Sequence, residues 1–365
     1  MTDNVIYSLG FSHCLGIGPI KFLALTKRFK SVKKAYLAKD QEIVELLGFH
    51  FGQKFINFRI KFNPEKKLEE LNKKNIQVIC QEDRRFPSSL KNISDPPICL
   101  YVKGDLKNFD LSEKNFFMAV VGTRGPTSYG QQIAKKFAFD LANDGAVIVS
   151  GLALGVDAIA HQAALDAGGK TVAFLGCGVD IVYPPSNDKL YQEIIKKGSL
   201  IISEFPPGQL VLKGLFVARN RLISGLSKGV LVIEGGKNSG ALITARYAAE
   251  QGKEVFAPPA PITSEMSEAP IILLKQGAKL VTSAEDIFEE FNLKTTPNKD
   301  KKLLKKLTKE EKMIFDFLKK EPKTSDELAF FLKETVQKTL KLITFLEIKK
   351  IVEKNSEGKY QLKKI

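Results

Sequence analysis

Three turns crowded with small residues constrain this chain more than anything else in it: VVGTRGPTSYG (120–130), VSGLALGVDAIAH (149–161) and FLGCGVDIVYPPSN (174–187). Each follows a β-branched run and precedes a helical pattern. Such alternation predicts strands at Phe117–Val121, Ala146–Ser150, Thr171–Leu175, Leu200–Ser203, Val230–Ile233, Glu254–Ala257 and Lys279–Val281. Helices are expected between them, among others at Ser128–Asn143, Asp157–Ala167, Ser239–Gln251 and Ala284–Phe291. Apolar strands separated by amphipathic helices make a parallel sheet covered on both faces, with right-handed connections. Three small-residue turns then bring backbone N–H groups to one edge, where open α/β sheets bind phosphate-bearing ligands.

The chain has 365 residues and a formal net charge of +15, which favours an acidic partner such as nucleic acid or an anionic membrane. The charge is uneven: residues 1–110 carry +7, residues 111–290 carry −1 and residues 291–365 carry +9. If the turn-bearing region binds DNA, it does so through a local patch. Cys14, Cys80, Cys99 and Cys177 are far apart with no C-x-x-C pair, so neither a zinc site nor a disulfide framework is expected, and a reducing cytoplasm fits. No secretory signal is read at the N-terminus, and no apolar run reaches the roughly 18 residues of a membrane span.

The chain divides by pattern into five segments. Residues 1–65 read as short helices, where CLGIGPIKFLALTKRF (14–29) and ELLGFHFGQKFINFRI (45–60) resemble two Gly-turn copies of a SAM or helix-hairpin-helix-like domain. Such turns present backbone N–H groups to phosphate; a small bundle with no ligand fits better, since a G-x-G before a helix is common. Residues 66–110 read as a connector, 111–291 as the α/β domain and 292–307 as a lysine-rich linker. Residues 308–365 read as three helices and a hairpin, a winged helix. Gln337, Lys338 and Lys341 on its third helix suit phosphate or simply solvent.

Gly122, Thr123 and Arg124 lie between strand and helix, where the helix N-terminus suits an anion and a guanidinium can clamp it. Ser150, Gly151, Leu152 and Ala153 offer a second N–H cradle. Asp157 and His161 stand at i, i+4; a dipole-favouring acid and a packed imidazole describe them better than an acid–base pair. Gly176-Cys177-Gly178 lacks the third Gly of a dinucleotide fingerprint. Lys213, Phe216, Arg219, Asn220 and Arg221 combine phosphate-neutralising cations with a ring that can stack on an unpaired base. Lys237, Ser239 and Gly240 repeat the helix-terminus logic. No catalytic residue, metal site or cofactor is read from these patterns.

These motifs resemble the DprA/Smf family of DNA-processing proteins along nearly the whole chain. The segments that carry the likeness are Gly122-Thr123-Arg124 with Tyr129-Gly130, Ser150–His161, Gly176–Asn187, Ser203–Gly208, Arg219–Ser227 and Ser239–Ala245. The likeness implies an extended Rossmann-like α/β domain and a non-enzymatic protein. It also implies single-stranded DNA binding, loading of the RecA recombinase in natural transformation, and homodimers through the Rossmann-like domain. Two departures stand out: Val217 where the family often has Pro, and the loop 258–269 without the family's Gly and Asn. Two other readings remain. A phosphoribohydrolase would need a P-G-G-x-G-T-x-x-E turn where this chain has Glu234-Gly235-Gly236-Lys237. A duplex-binding regulator would act through the winged helix.

Overall fold

The structure, a computed structural model, describes residues 3–293, 307–319, 321–349, 351–355 and 358–362. Its contacts separate two units, Met1–Thr295 and Thr296–Ile365. Nearly all of the expected lysine-rich linker, 292–307, lies outside the described residues.

The first unit opens with α1 (Asp3–His13), α2 (Pro19–Phe29), α3 (Val32–Tyr36), α4 (Asp40–Leu47), α5 (Phe49–Lys61) and α6 (Pro64–Lys73). Pro19 and Pro64 begin helices, where a missing N–H is harmless. Aromatic packing holds the group together. Phe11 meets Phe22, Tyr36 and Phe55 at centroid distances of 5.4, 5.2 and 5.0 Å.

The chain continues as β1 (Gln77–Cys80), α7 (Ser88–Lys91), β2 (Cys99–Gly104), β3 (Phe117–Val121), α8 (Ser128–Asn143), β4 (Val147–Ser150), α9 (Val156–Asp166) and β5 (Thr171–Phe174). It then forms α10 (Asp188–Lys196), β6 (Leu200–Ser203), α11 (Lys213–Leu226), β7 (Gly229–Val232), α12 (Gly240–Glu250) and β8 (Glu254–Ala257). It ends in α13 (Glu268–Lys275), β9 (Lys279–Leu280) and α14 (Ala284–Glu290). The strand order is β1-β2-β6-β5-β4-β3-β7-β8-β9. From β3 to β9 every pairing is parallel. This is the expected Rossmann-like α/β layout, with apolar clusters on both faces of the sheet.

Residues 66–110, read as a connector, bring two strands to the sheet: β2 joins the β6 edge antiparallel and β1 pairs antiparallel with β2. Their apolar runs, QVIC and CLYV, are buried almost throughout and carry the sheet to nine strands.

The order of strands reverses beside β3. The chain winds through β4, β5 and β6 on one side, then returns by α11 to β7 on the other. Open α/β sheets bind ligands outside the carboxyl ends at such a switch point.

The second unit holds α15 (Lys309–Leu318), α16 (Ser325–Leu332), α17 (Val336–Ile348), β10 (Val352–Lys354) and β11 (Tyr360–Leu362). Its helices are capped by the side chains of Thr308, Thr324 and Thr335. Ile314, Leu328, Ile343 and Leu346 form its core. Three helices and a hairpin follow in the expected order. Among the described residues no helix is long and apolar enough to cross a membrane.

Candidate nucleic-acid interface

A cleft of about 630 Å³ lies outside the carboxyl ends of β3, β4 and β7, at the switch point. Five chain segments meet there, one of them the 174–187 turn through Tyr183. The turn after β3 gives Gly122, Thr123 and Arg124; the turn after β4 gives Ala153 and Asp157; α11 gives Lys213, Phe216, Arg219 and Asn220; and the start of α12 gives Ser239 and Gly240. Lys213, Phe216 and Asn220 share one helix face by spacing, i, i+3 and i+7. Arg124 and Lys213 are exposed, and Phe216 is half-buried. The Arg124 guanidinium lies 5.7 Å from the Phe216 ring centre. Phe216 also meets Tyr183, with centroids 5.5 Å apart. Two rings and a planar cation therefore stand side by side at the mouth.

Tyr183 belongs to this group and was not among the expected site residues. Its place within the G-x-G-x-D-x-x-Y-P motif was the available signal. The third turn also takes on a packing role. A Cβ on Gly176 would lie 2.8 Å from the Phe216 ring, so glycine there lets α11 settle directly on the turn. The Gly178 N–H is bonded to the Gln209 carbonyl at 2.9 Å.

The expectation of open backbone cradles at the first two turns is corrected. At the first turn, Glu234 is buried. Its carboxylate accepts from the Thr127 N–H at 2.9 Å and the Thr127 hydroxyl at 2.6 Å. Thr127 caps α8, so an internal carboxylate already sits at that positive helix terminus. The Thr123 N–H goes to the Glu234 carbonyl at 2.8 Å. At the second turn, Asp157 Oδ2 accepts from Gly151 N–H at 3.1 Å and Ala153 N–H at 3.4 Å. Leu152 adopts a left-handed φ of 54° and is buried, which curls these amides around the carboxylate. The Ser150 hydroxyl turns inward to the Val120 carbonyl at 2.7 Å.

The two arginines of the R-N-R segment also differ from expectation. Arg221 is 3% exposed and is held by Glu204 at 2.5 and 2.6 Å, by Asp95 at 2.7 Å and by the Ala218 carbonyl at 2.9 Å. Those bonds use its Nε and both Nη groups, so it braces α11 against the 203–208 loop with its donors already engaged. Arg219 is buried too; its Nη1 donates to the carbonyls of Gly151 and Phe174. A Cβ on Gly151 would come within 2.5 Å of that guanidinium. Arg219 therefore carries the second turn from beneath. Burial pushes its pKa down, while the Asp157 charge pulls it up. Burial raises the Asp157 carboxyl in turn, and Arg219 opposes that shift.

Lys237 is exposed and stands outside the cleft lining; its N–H donates to Glu268 at 2.7 Å. Ser239 caps α12 through the Ala241 N–H at 3.3 Å. The altered 258–269 loop braces neighbouring turns. Gly235 N–H bonds to the Met266 carbonyl, Ala269 N–H to the Gly235 carbonyl, and Tyr129 OH to the Pro259 carbonyl. His161 is fully buried, with Nδ1 at 2.6 Å from the Thr171 hydroxyl. Burial, reinforced by the Arg219 charge, pushes its pKa down to about 3, so it packs as a neutral ring. Among the described residues no cluster of His, Cys, Asp or Glu is placed to hold a metal ion.

Residues 77–292 match the family model for DNA recombination-mediator protein A. Protein Smf of Synechocystis is 38% identical over 77% of this chain and 71% of its own. The X-ray structure of DNA processing protein A from Streptococcus pneumoniae superposes with a TM-score of 0.69 at 35% identity, over 80% of this chain and 98% of that one. DNA processing protein A from Helicobacter pylori, solved for its single-stranded DNA binding mode, gives a TM-score of 0.52 at 35% identity. That match covers 59% of this chain and 96% of the other.

Proposed function

The chain belongs to the DNA recombination-mediator protein A family, the DprA/Smf proteins, and from that we propose that it grips single-stranded DNA in the switch-point cleft without reacting with it. The observation that carries this reading is the row formed by Arg124, Phe216 and Tyr183, flanked by the exposed Lys213. Rings stack on any unpaired base, and cations neutralise the phosphates between bases. A duplex keeps its bases paired and gives such rings nothing to hold. The neutral, buried His161 supports holding over acid–base chemistry. The single-stranded DNA binding mode of the Helicobacter pylori relative points the same way. Loading of RecA, self-association through the Rossmann-like domain and a cytoplasmic role in natural transformation enter this reading from the family resemblance.

A salt series on oligothymidine tests it. Affinity should fall steeply with salt, and Arg124→Ala and Lys213→Ala should each lower the log–log slope by about 1. Phe216→Ala should weaken binding by about 1–3 kcal/mol with little change in slope. An Arg124→Ala/Lys213→Ala double variant that binds as the parent does would sink the assignment.

A further inference from the structure

Asp157 is the only acidic residue among those lining the cleft. It is 7% exposed, and one of its oxygens fills the concavity made by Gly151, Leu152 and Ala153. Glu234 repeats the device at the start of α8. In this architecture such concavities ordinarily face the diphosphate of a nucleotide. Here two carboxylates of the chain itself hold the places such phosphates would take. A free nucleotide ends in a doubly charged phosphate that needs several N–H donors at once, and it would meet a negative group in place of open amides. An internucleotide phosphate carries one charge and needs only side-chain cations at the rim.

We propose that Asp157, supported by Glu234, is a specificity-determining residue: a built-in anion that excludes free nucleotides and leaves the cleft to a continuous strand. The strand half of this statement rests on the function proposed above; the exclusion half rests on the hydrogen bonds alone.

The test compares Asp157→Ala and Asp157→Asn with the parent, full length, using thymidine monophosphate, inorganic phosphate and oligothymidine as probes. Binding is read by calorimetry and thermal melting. In the parent, phosphate should leave the melting midpoint unchanged. In Asp157→Ala, the ratio of nucleotide to oligothymidine dissociation constants should fall roughly tenfold or more, the scale of a charge-assisted hydrogen-bond pair. Phosphate should raise the midpoint of that variant, because it would bind only the folded form. If Asp157→Ala does not fold, Asp157→Asn keeps the volume without the charge and is read by the same two measures. A folded variant with an unchanged ratio and a midpoint indifferent to phosphate overturns the proposal. Failure of the parent to bind oligothymidine would sink the strand-binding reading instead. The phosphate response of the variants would then judge the exclusion alone.

Discussion

At the scale of single residues, what decides the site is which charges are already paired. Arg221 is the clearest case. Its guanidinium is buried against Glu204 and Asp95, and removing it leaves the largely buried Glu204 carboxylate without its partner. Arg221→Ala should lower unfolding free energy by about 3–5 kcal/mol in a denaturant titration. It should weaken DNA binding only through loss of α11. His161 supplies a pH test. Its pKa drops from the ordinary 6.5 to about 3 on folding, so the unfolded chain binds this proton first. The stability it contributes is whole above pH 6.5. It declines by about 1.4 kcal/mol per unit as pH falls from there toward 3. His161→Asn should remove that slope when urea unfolding at neutral pH is compared with unfolding at about pH 5. The pairings behind both predictions are not visible in sequence. Arg219, Arg221 and Arg124 look alike along the chain, and only long-range neighbours separate two struts from a cation exposed at the cleft. Glu234 and Thr127 stand 107 positions apart, so nothing local announces that a carboxylate will occupy the first turn.

At the scale of elements, strand and helix positions were largely legible because β-branched runs and amphipathic periods are local signals. β3, β6 and β8 have the bounds expected, as does α8. α11 was readable only as a cluster of cations and amides, since its apolar face is interrupted by the two buried arginines. The joint between turns was hidden as well. Gly155 has φ 73°, and a Cβ there would lie 2.4 Å from the Thr123 carbonyl oxygen, which also accepts from the Val156 N–H. This glycine locks the second turn onto the first. Gly155→Ala should destabilise the protein by about 1–3 kcal/mol, seen as a lower melting midpoint. Oligothymidine binding should fall with it, because Arg124 sits on the displaced turn.

At the scale of the whole molecule, the cleft lies entirely within the first unit. Removing residues 296–365 should therefore leave oligothymidine affinity within about threefold, well under one decade or 1.4 kcal/mol. Loss of binding on truncation would favour the duplex-reading alternative. That alternative has few free charges to work with on α17, where Lys338 is ion-paired to Glu334 at 2.6 Å and Glu310 at 3.7 Å. The limits of the nine-stranded sheet have a consequence of their own. One border is the four-residue β1, and the other is β9, only two residues long, whose Lys279 is paired with Glu290. So brief a border gives an approaching chain too few amides to zip onto. Short borders of this kind disfavour strand-to-strand growth of the sheet from one copy into the next.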